Sequence, residues 1–194
     1  MIKAVVVSIV IYFFFSNVIF AQDPACKDKL KNILPMEECC DMPDLLDEKM
    51  VIPIIADLEK KYNNTPLLLE CLIDQEIMKK IGLEKIEKAS AKKLAQGLLK
   101  GSPWLAPIEA AIDECVDRIP KFAPVYQKSY NLPKEKCDAQ YAFFNDCIES
   151  VAFSKCLPQN WTTSEKCEIT KKFVVECQND EAMIKFTDMQ RNFF

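Results

Sequence analysis

The chain has 194 residues, with 29 acidic and 25 basic side chains and no histidine. Without histidine, neither a Ser-His-Asp triad, a Cys-His pair nor a histidine-ligated zinc site can form, and the mildly acidic balance argues against nucleic acid as a partner. Only three glycines occur, and no glycine-rich phosphate loop is present. We therefore expect a protein that is not an enzyme and that carries neither a cofactor nor a metal.

Residues 1–21 have the organisation of a signal peptide. Lys3 precedes an apolar run that reaches Phe15, and Ala21 is the small residue expected before a cleavage site. The alternative is an N-terminal membrane anchor, but polar residues interrupt the apolar stretch before the cleavage site. The mature protein is therefore expected to be a single secreted domain, residues 22–194, without stable membrane insertion.

Low glycine content, abundant helix-forming residues and the absence of strict alternation predict an all-α fold. We expect a compact single domain. The expected helical segments cover about 24–34, 44–62, 65–82, 83–100, 107–120, 138–154 and 165–177.

Prolines and glycines set the expected ends of several helices. Pro53 is expected to break the second segment, and Pro120 is expected to end the fifth, which leaves 121–136 as a loop. Gly82 and Gly101 are expected to terminate the third and fourth segments.

Apolar periodicity predicts which helix faces are buried. The fifth segment carries a stripe at helical spacing, and the sixth carries a second one. These stripes consist of Ile108, Ala111, Ile112, Cys115, Val116 and Ile119, and of Tyr141, Phe144, Cys147, Ile148 and Val151. The lysines of the fourth segment, at 85, 88, 92 and 93, are expected on a solvated face outside a ridge of Ile86, Leu94 and Leu98.

The last helix has its own start signal. Thr162 and Glu165 match a capping box. The helix that follows is expected to bury Ile169, Phe173 and Val174.

Ten cysteines in a secreted chain predict five disulfides, since an oxidising compartment favours complete pairing. Adjacent residues adopt disulfide geometry only with difficulty, so a bond between Cys39 and Cys40 is excluded and the other pairings stay open. The absence of histidine and of any CxxC pair argues against a metal site. The cysteines are Cys26, Cys39, Cys40, Cys71, Cys115, Cys137, Cys147, Cys156, Cys167 and Cys177.

The cysteine spacing resembles that of the insect odorant-binding proteins, in their cysteine-rich Plus-C subgroup. The resemblance rests on Cys71-x43-Cys115-x21-Cys137-x9-Cys147-x8-Cys156 and on Cys39-Cys40-Asp41-Met42-Pro43-Asp44-Leu45, which is similar to a CCxxPxL segment of that subgroup. The sequence departs from the pattern at Leu67, where the family usually has a cysteine, and at Leu157, which separates Cys156 from the expected proline. The first departure means that the family's disulfide pairing is not carried over.

The resemblance implies a compact set of about six helices around an apolar cavity that reversibly binds small hydrophobic molecules such as odorants or pheromones. A membrane receptor is a further expected partner. Apolar side chains of the predicted buried faces are the expected lining, although each of them also fits a solid core. These candidates are Leu68, Leu72, Ile77, Leu98, Ile108, Ile112, Phe144, Ile148 and Phe173.

Two other functions remain open from the sequence. One is a saposin-like secreted protein that interacts with lipid membranes through an amphipathic surface. The other is a salivary scavenger of small host ligands, in particular amines, a role found among relatives of the family that the sequence resembles. The sequence also contains two N-glycosylation sequons, at Asn63 and Asn160, of which Asn160 is favoured because Pro66 directly follows the first sequon.

Overall fold

The computed structural model describes Cys26 and residues 33–62, 65–129 and 131–177. These residues form seven α-helices and no strand: α1 (Met36–Cys39), α2 (Glu48–Tyr62), α3 (Pro66–Lys80), α4 (Lys88–Leu98), α5 (Leu105–Ser129), α6 (Gln140–Ser154) and α7 (Glu165–Cys177). The all-α prediction is therefore confirmed. The expected signal peptide and most of the expected helix over 24–34 lie outside the described residues.

Helix α6 is the centre of the fold. It packs against α3, α5 and α7, and eleven of its fifteen residues are buried. Around it, α4 packs on α5 and α2 packs on α3. The aromatic ring of Phe143 stacks on Phe122 of α5 with 5.8 Å between centroids and meets Tyr126 edge-on at 5.4 Å, so aromatic packing joins α5 to α6.

The predicted breaks at Pro53 and Pro120 are wrong, because α2 runs through Pro53 and α5 runs through both Pro120 and Pro124. A proline inside a helix leaves the carbonyl four residues earlier without its usual donor. All three prolines lie on exposed faces, where water can bond to such a carbonyl and the helix can curve. The predicted loop over 121–136 is therefore helical as far as Ser129.

Gly82 terminates α3 as predicted, and it has a φ of +86°. The amide of Leu83 donates to the carbonyl of Met78, and the amide of Gly82 donates to that of Lys79. These two bonds are the Schellman arrangement, in which a glycine adopts the left-handed conformation. Helix α4 then begins at Lys88 rather than at the predicted Leu83, because Leu83 completes this turn as a buried residue.

Helix α7 begins at the predicted Glu165, but the predicted capping residue is wrong. The hydroxyl of Ser164 accepts a hydrogen bond from the amide of Cys167 at 3.1 Å, which is the usual position for an N-cap contact. Thr162 instead donates its amide to the carbonyl of Cys39. Phe173 is buried as predicted, whereas Ile169 is 37% exposed and does not belong to the core.

All ten cysteines pair in five disulfides, which are typical of proteins in an oxidising, extracellular setting. Three of the bridges are nested in sequence, and they join the N-terminal part of the chain to its C-terminal part. The remaining two overlap in sequence and attach α3 to the connection before α6 and α5 to the middle of α6. The pairs are Cys26–Cys177, Cys39–Cys167, Cys40–Cys156, Cys71–Cys137 and Cys115–Cys147.

Within the described ranges, none of the helices combines the length and the apolar character that are needed to cross a membrane.

Candidate functional site

A cavity of about 630 Å³, partly open to solvent, lies between α4, α5 and α6. The end of α3 and the segment 36–46 complete its walls. Small-molecule sites in proteins typically enclose roughly 300–1,000 Å³ and are lined mainly by apolar side chains. The size and the lining of this cavity are therefore those of a small-molecule site.

Two buried ridges form the deep wall. The first ridge begins directly before α5 and continues along it with residues four apart, Trp104, Ile108 and Ile112. The second ridge has the same spacing on α6 and consists of Phe144, Ile148 and Ala152. Residues four apart lie on one face of a helix, so each ridge presents a continuous apolar surface. All six side chains are less than 9% exposed.

The disulfide Cys115–Cys147 holds these two helices together, with 5.7 Å between the Cα atoms. It joins α5 to α6 beside the ridges, since Cys115 follows Ile112 by three residues and Cys147 precedes Ile148 by one. The two helices of the deep wall are therefore covalently cross-linked.

Helix α4 forms a side wall through Ala91, Leu94, Ala95 and Leu98. The two alanines are buried, whereas Leu98 is 53% exposed at the open side of the cavity. Small side chains at the two buried positions let α4 approach α5 closely and leave space in front of it.

A row of polar contacts holds α4 against α5. The ammonium groups of Lys88 and Lys92 donate to the carboxylates of Asp117 and Asp113 at 2.6 and 2.5 Å. A third contact, between Gln96 and Glu109, has the same length as the first. Lys85 and Lys93 are exposed as predicted, whereas Lys88 and Lys92 are half-buried and paired with carboxylates of α5.

The segment after α1 forms the lip of the cavity, defined here as residues 41–46. Cys40 is bonded to Cys156 and pairs with Trp161 in an isolated antiparallel bridge. Next to it, the amide of Asp41 donates to the carbonyl of Asn160 at 2.9 Å. The lip is thus attached at one end to the loop that follows α6.

Four carboxylates line the opening, and no lysine or arginine does among the described residues. Glu37, Asp41 and Asp44 come from α1 and the lip, and Glu149 comes from α6. All four are exposed side chains. The cavity therefore has an apolar interior and an acidic opening.

Two groups with shifted pKa values, Tyr141 and Arg118, lie in helices that support the cavity. Burial raises the pKa of the Tyr141 phenol at the start of α6. Burial lowers the pKa of the Arg118 guanidinium on α5, and the nearby carboxylate of Glu114 partly offsets that effect. In the part of the chain that the structure describes, no group of three or more acidic or cysteine side chains is placed to hold a metal ion.

The structure brings five of the nine candidate lining residues to the cavity: Leu98, Ile108, Ile112, Phe144 and Ile148. The other four, Leu68, Leu72, Ile77 and Phe173, are buried elsewhere in the protein. Phe173 packs in the interior as part of α7, and the other three belong to α3.

Sequence reasoning missed several residues of the cavity surface. Trp104 and Ala152 extend the two ridges by one step each, and this continuation of the four-residue spacing was a usable signal. Met78 and Leu83 reach the cavity through the turn at the end of α3, and the lip reaches it through Cys40–Cys156. Neither of these placements follows from periodicity.

Of the two sequons, Asn63 lies outside the described residues. Asn160 is half-buried in the 3₁₀ turn Pro158–Asn160, and its side-chain amide is 3.4 Å from the carboxylate of Asp41. Glycosylation at Asn160 stays a prediction, and a glycan there would stand beside the lip.

Comparisons with protein-family models, with curated proteins and with solved structures gave no match. The interpretation of the cavity therefore rests on its own geometry and chemistry.

Proposed function

We propose that the protein is a secreted carrier that reversibly binds small hydrophobic molecules in the cavity between α4, α5 and α6. The observation that carries this proposal is the apolar deep wall of a cavity of about 630 Å³. Burying a ligand's apolar surface against such a wall contributes roughly 25 cal/mol per Å² before the costs of binding are subtracted.

The rigidity of the wall supports the proposal. Because Cys115–Cys147 fixes α5 against α6, little ordering of the protein has to accompany binding, and pre-organisation of this kind favours affinity. The resemblance of the cysteine pattern implies odorants and pheromones as ligands. Such molecules are small and apolar enough to fit the cavity.

The lining chemistry favours binding over catalysis. Among the described residues that line the cavity there is no serine, threonine, tyrosine, lysine or arginine, and the one cysteine, Cys40, is held in a disulfide. These residues therefore offer no hydroxyl, free thiol or amine as a nucleophile, and the four carboxylates, which can also act as nucleophiles, lie at the exposed opening and not in the apolar interior. We therefore propose a carrier and not an enzyme.

The test is binding of N-phenylnaphthylamine, a neutral apolar dye, to the mature protein with its disulfides intact. We expect a dissociation constant on the order of micromolar. Ala95→Phe fills the cavity from α4 and should weaken binding by about tenfold or more, because the added ring occupies the space of the dye. Circular dichroism of each variant confirms that it is folded.

The matched control is Ala89→Phe, the same substitution on the exposed face of the same helix. It should leave the affinity within about twofold. Ala152→Leu is a smaller cavity-filling change from α6 and should weaken binding in the same direction. Absence of dye binding, or equal effects of the two phenylalanine variants, would contradict the carrier proposal. Release of dye from anionic vesicles by the protein would instead support the saposin-like alternative.

A further inference from the structure

We infer that the indole N–H of Trp104 is a hydrogen-bond donor for the ligand of the cavity. The preferred ligands are then apolar molecules with one acceptor oxygen, such as ketones, aldehydes and esters, rather than hydrocarbons of the same shape. This inference rests on the proposed carrier function and specifies its ligand class. It combines the place of Trp104 in the deep wall with the hydrogen bonding of its indole ring.

The indole N–H of Trp104 is a buried donor without a partner. Trp104 is 4% exposed, and among the described residues no acceptor forms a hydrogen bond with its indole N–H. The second tryptophan, Trp161, donates its indole N–H to the carboxylate of Glu168 at 3.0 Å, as is usual for buried or half-buried indoles. The indole nitrogen of Trp104 keeps accessible surface, and the ring lines the cavity, so a ligand in the cavity can supply the acceptor.

The backbone of Trp104 is held at the start of α5. Its amide donates to the hydroxyl of Ser102 at 3.2 Å, and its carbonyl accepts a hydrogen bond from the amide of Ile108 at 3.0 Å. The indole therefore shares the deep wall with Ile108 and Ile112, which are both buried. A ligand that packs its apolar part on these two residues has the donor beside it.

Trp104 carries the one buried side-chain donor among the described residues that line the cavity. The carboxylates of the opening are acceptors, and Cys40 is held in a disulfide. Asn145 is half-buried, and its side-chain amide donates to the carboxylate of Glu149 at 3.5 Å. An acceptor oxygen placed against the deep wall therefore has the indole N–H of Trp104 as its side-chain partner.

The donor distinguishes ligands of equal shape. A hydrocarbon that covers the indole N–H leaves a buried donor unsatisfied, which costs free energy, whereas a carbonyl oxygen at the same place satisfies it. Sites that bond a polar group of a ligand discriminate against the analogue that lacks this group. One neutral hydrogen bond of this kind corresponds to about three- to tenfold in affinity.

The experiment uses two ligands of the same skeleton, octanophenone and the alkene in which a methylene group replaces its carbonyl oxygen. Displacement of N-phenylnaphthylamine gives the affinity of each ligand for the wild type and for Trp104→Phe. Phenylalanine keeps an aromatic ring but has no N–H, so the affinity for the ketone relative to the alkene should fall by about three- to tenfold. Loss of packing alone would weaken both ligands and leave their ratio unchanged.

The matched control is Trp161→Phe, the same substitution at a tryptophan that does not line the cavity. It should preserve the wild-type ratio between ketone and alkene within about twofold.

A second measurement uses the wild type and does not depend on the folding of Trp104→Phe. The chain has two tryptophans, so a nitrogen–proton correlation spectrum contains two indole signals, and Trp161→Phe identifies the signal of Trp104. Octanophenone should move the indole proton of Trp104 further downfield than the alkene does, because only the ketone accepts a hydrogen bond. The signal of Trp161 should stay in place with both ligands.

The outcomes separate this inference from the proposed function. If both phenylalanine variants change the ratio equally, if Trp104→Phe does not change it, or if ketone and alkene move the Trp104 signal equally, the role of this donor is refuted and the carrier proposal stands. If neither the dye nor the two ligands bind, the carrier proposal fails and the inference fails with it.

Discussion

The phenolic hydroxyl of Tyr141 donates a hydrogen bond to the backbone carbonyl of Glu84, with 2.6 Å between the two oxygens. Tyr141 lies in the first turn of α6, and Glu84 follows Leu83, which is part of the cavity wall. The tyrosine side chain is 5% exposed, and its burial raises the pKa of the phenol. The folded protein therefore favours the neutral form of this phenol. Its hydrogen bond connects α6 to the segment that precedes α4.

Replacing Tyr141 by phenylalanine should lower the free energy of unfolding by about 1 kcal/mol at pH 7, the usual net contribution of one hydrogen bond. Because the folded-state pKa lies above the unfolded value near 10, the contribution of the phenol is complete below that pH and is lost as the pH rises through the folded-state pKa. The destabilisation by Tyr141→Phe should therefore shrink at alkaline pH.

Urea denaturation of the wild type and of Tyr141→Phe at neutral pH and at about pH 10.5 checks this expectation. Tyr62→Phe is the control, since no hydrogen bond of the Tyr62 hydroxyl occurs among the described residues. An equal difference between wild type and Tyr141→Phe at both pH values would contradict the assignment.

Thr170, a fully buried residue of α7, links that helix to the segment before α1. Its hydroxyl accepts a hydrogen bond from the amide of Leu34 at 2.8 Å and donates to the carbonyl of Lys166 at 3.0 Å. Thr170→Val keeps the shape and leaves the amide of Leu34 unsatisfied, which should cost about 1–3 kcal/mol in stability.

Thermal unfolding of Thr170→Val measures that loss, and Thr163→Val is the matched control on an exposed residue. The control should change the stability by no more than about 0.5 kcal/mol. A melting temperature of Thr170→Val equal to that of the wild type would show that the buried contact does not contribute.

Removing the disulfide beside the deep wall should affect both stability and binding. The double variant Cys115→Ala and Cys147→Ala should lose about 2–5 kcal/mol of stability and bind N-phenylnaphthylamine at least several-fold more weakly, since α5 and α6 are then free to shift. The double variant Cys26→Ala and Cys177→Ala removes a bridge that ends on α7, a helix that contributes no residue to the cavity lining.

That second variant should also lose stability, but it should retain the dye affinity within about twofold. Denaturation and fluorescence titration on the same preparations provide both measurements. Equal loss of affinity in the two variants would mean that the bridges act on the whole fold and not on the wall.

Binding of the neutral dye should change little between pH 7.5 and about 6, because the chain has no histidine and histidine is the side chain that ordinarily titrates in that range. The buried acids Asp74 and Asp146 do not line the cavity. A titration series over this interval is the measurement, and a steep loss of affinity centred near pH 6.5 would contradict the expectation.

Much of the fold was predictable because the signal was local. The stripe over Ile108, Ile112 and Cys115 is buried as predicted, and the same spacing continues through Phe122 and Tyr126. That continuation overrides Pro120, since burying the later residues stabilises the helix by more than the missing hydrogen bond costs on an exposed face. The error at Pro120 came from giving a local breaker more weight than the periodicity around it.

The cavity was only partly predictable, for a different reason. Periodicity identifies Ile148 and Phe173 equally well as buried residues. It does not show which of them lines a cavity and which of them packs against other side chains. That distinction depends on how α4 and the lip are placed, and the lip is positioned by Cys40–Cys156, one of many pairings that the sequence alone left open.

The nested order of the disulfides has a consequence for handling the protein. Every peptide bond between Cys26 and Cys177 is spanned by at least the bridge that joins these two residues, and a cut between Cys71 and Cys115 is spanned by four bridges. Proteolytic nicking anywhere in this interval therefore leaves a single covalent molecule. Such a nick adds the mass of one water and releases fragments on a gel only after reduction, so purity has to be judged on reduced samples.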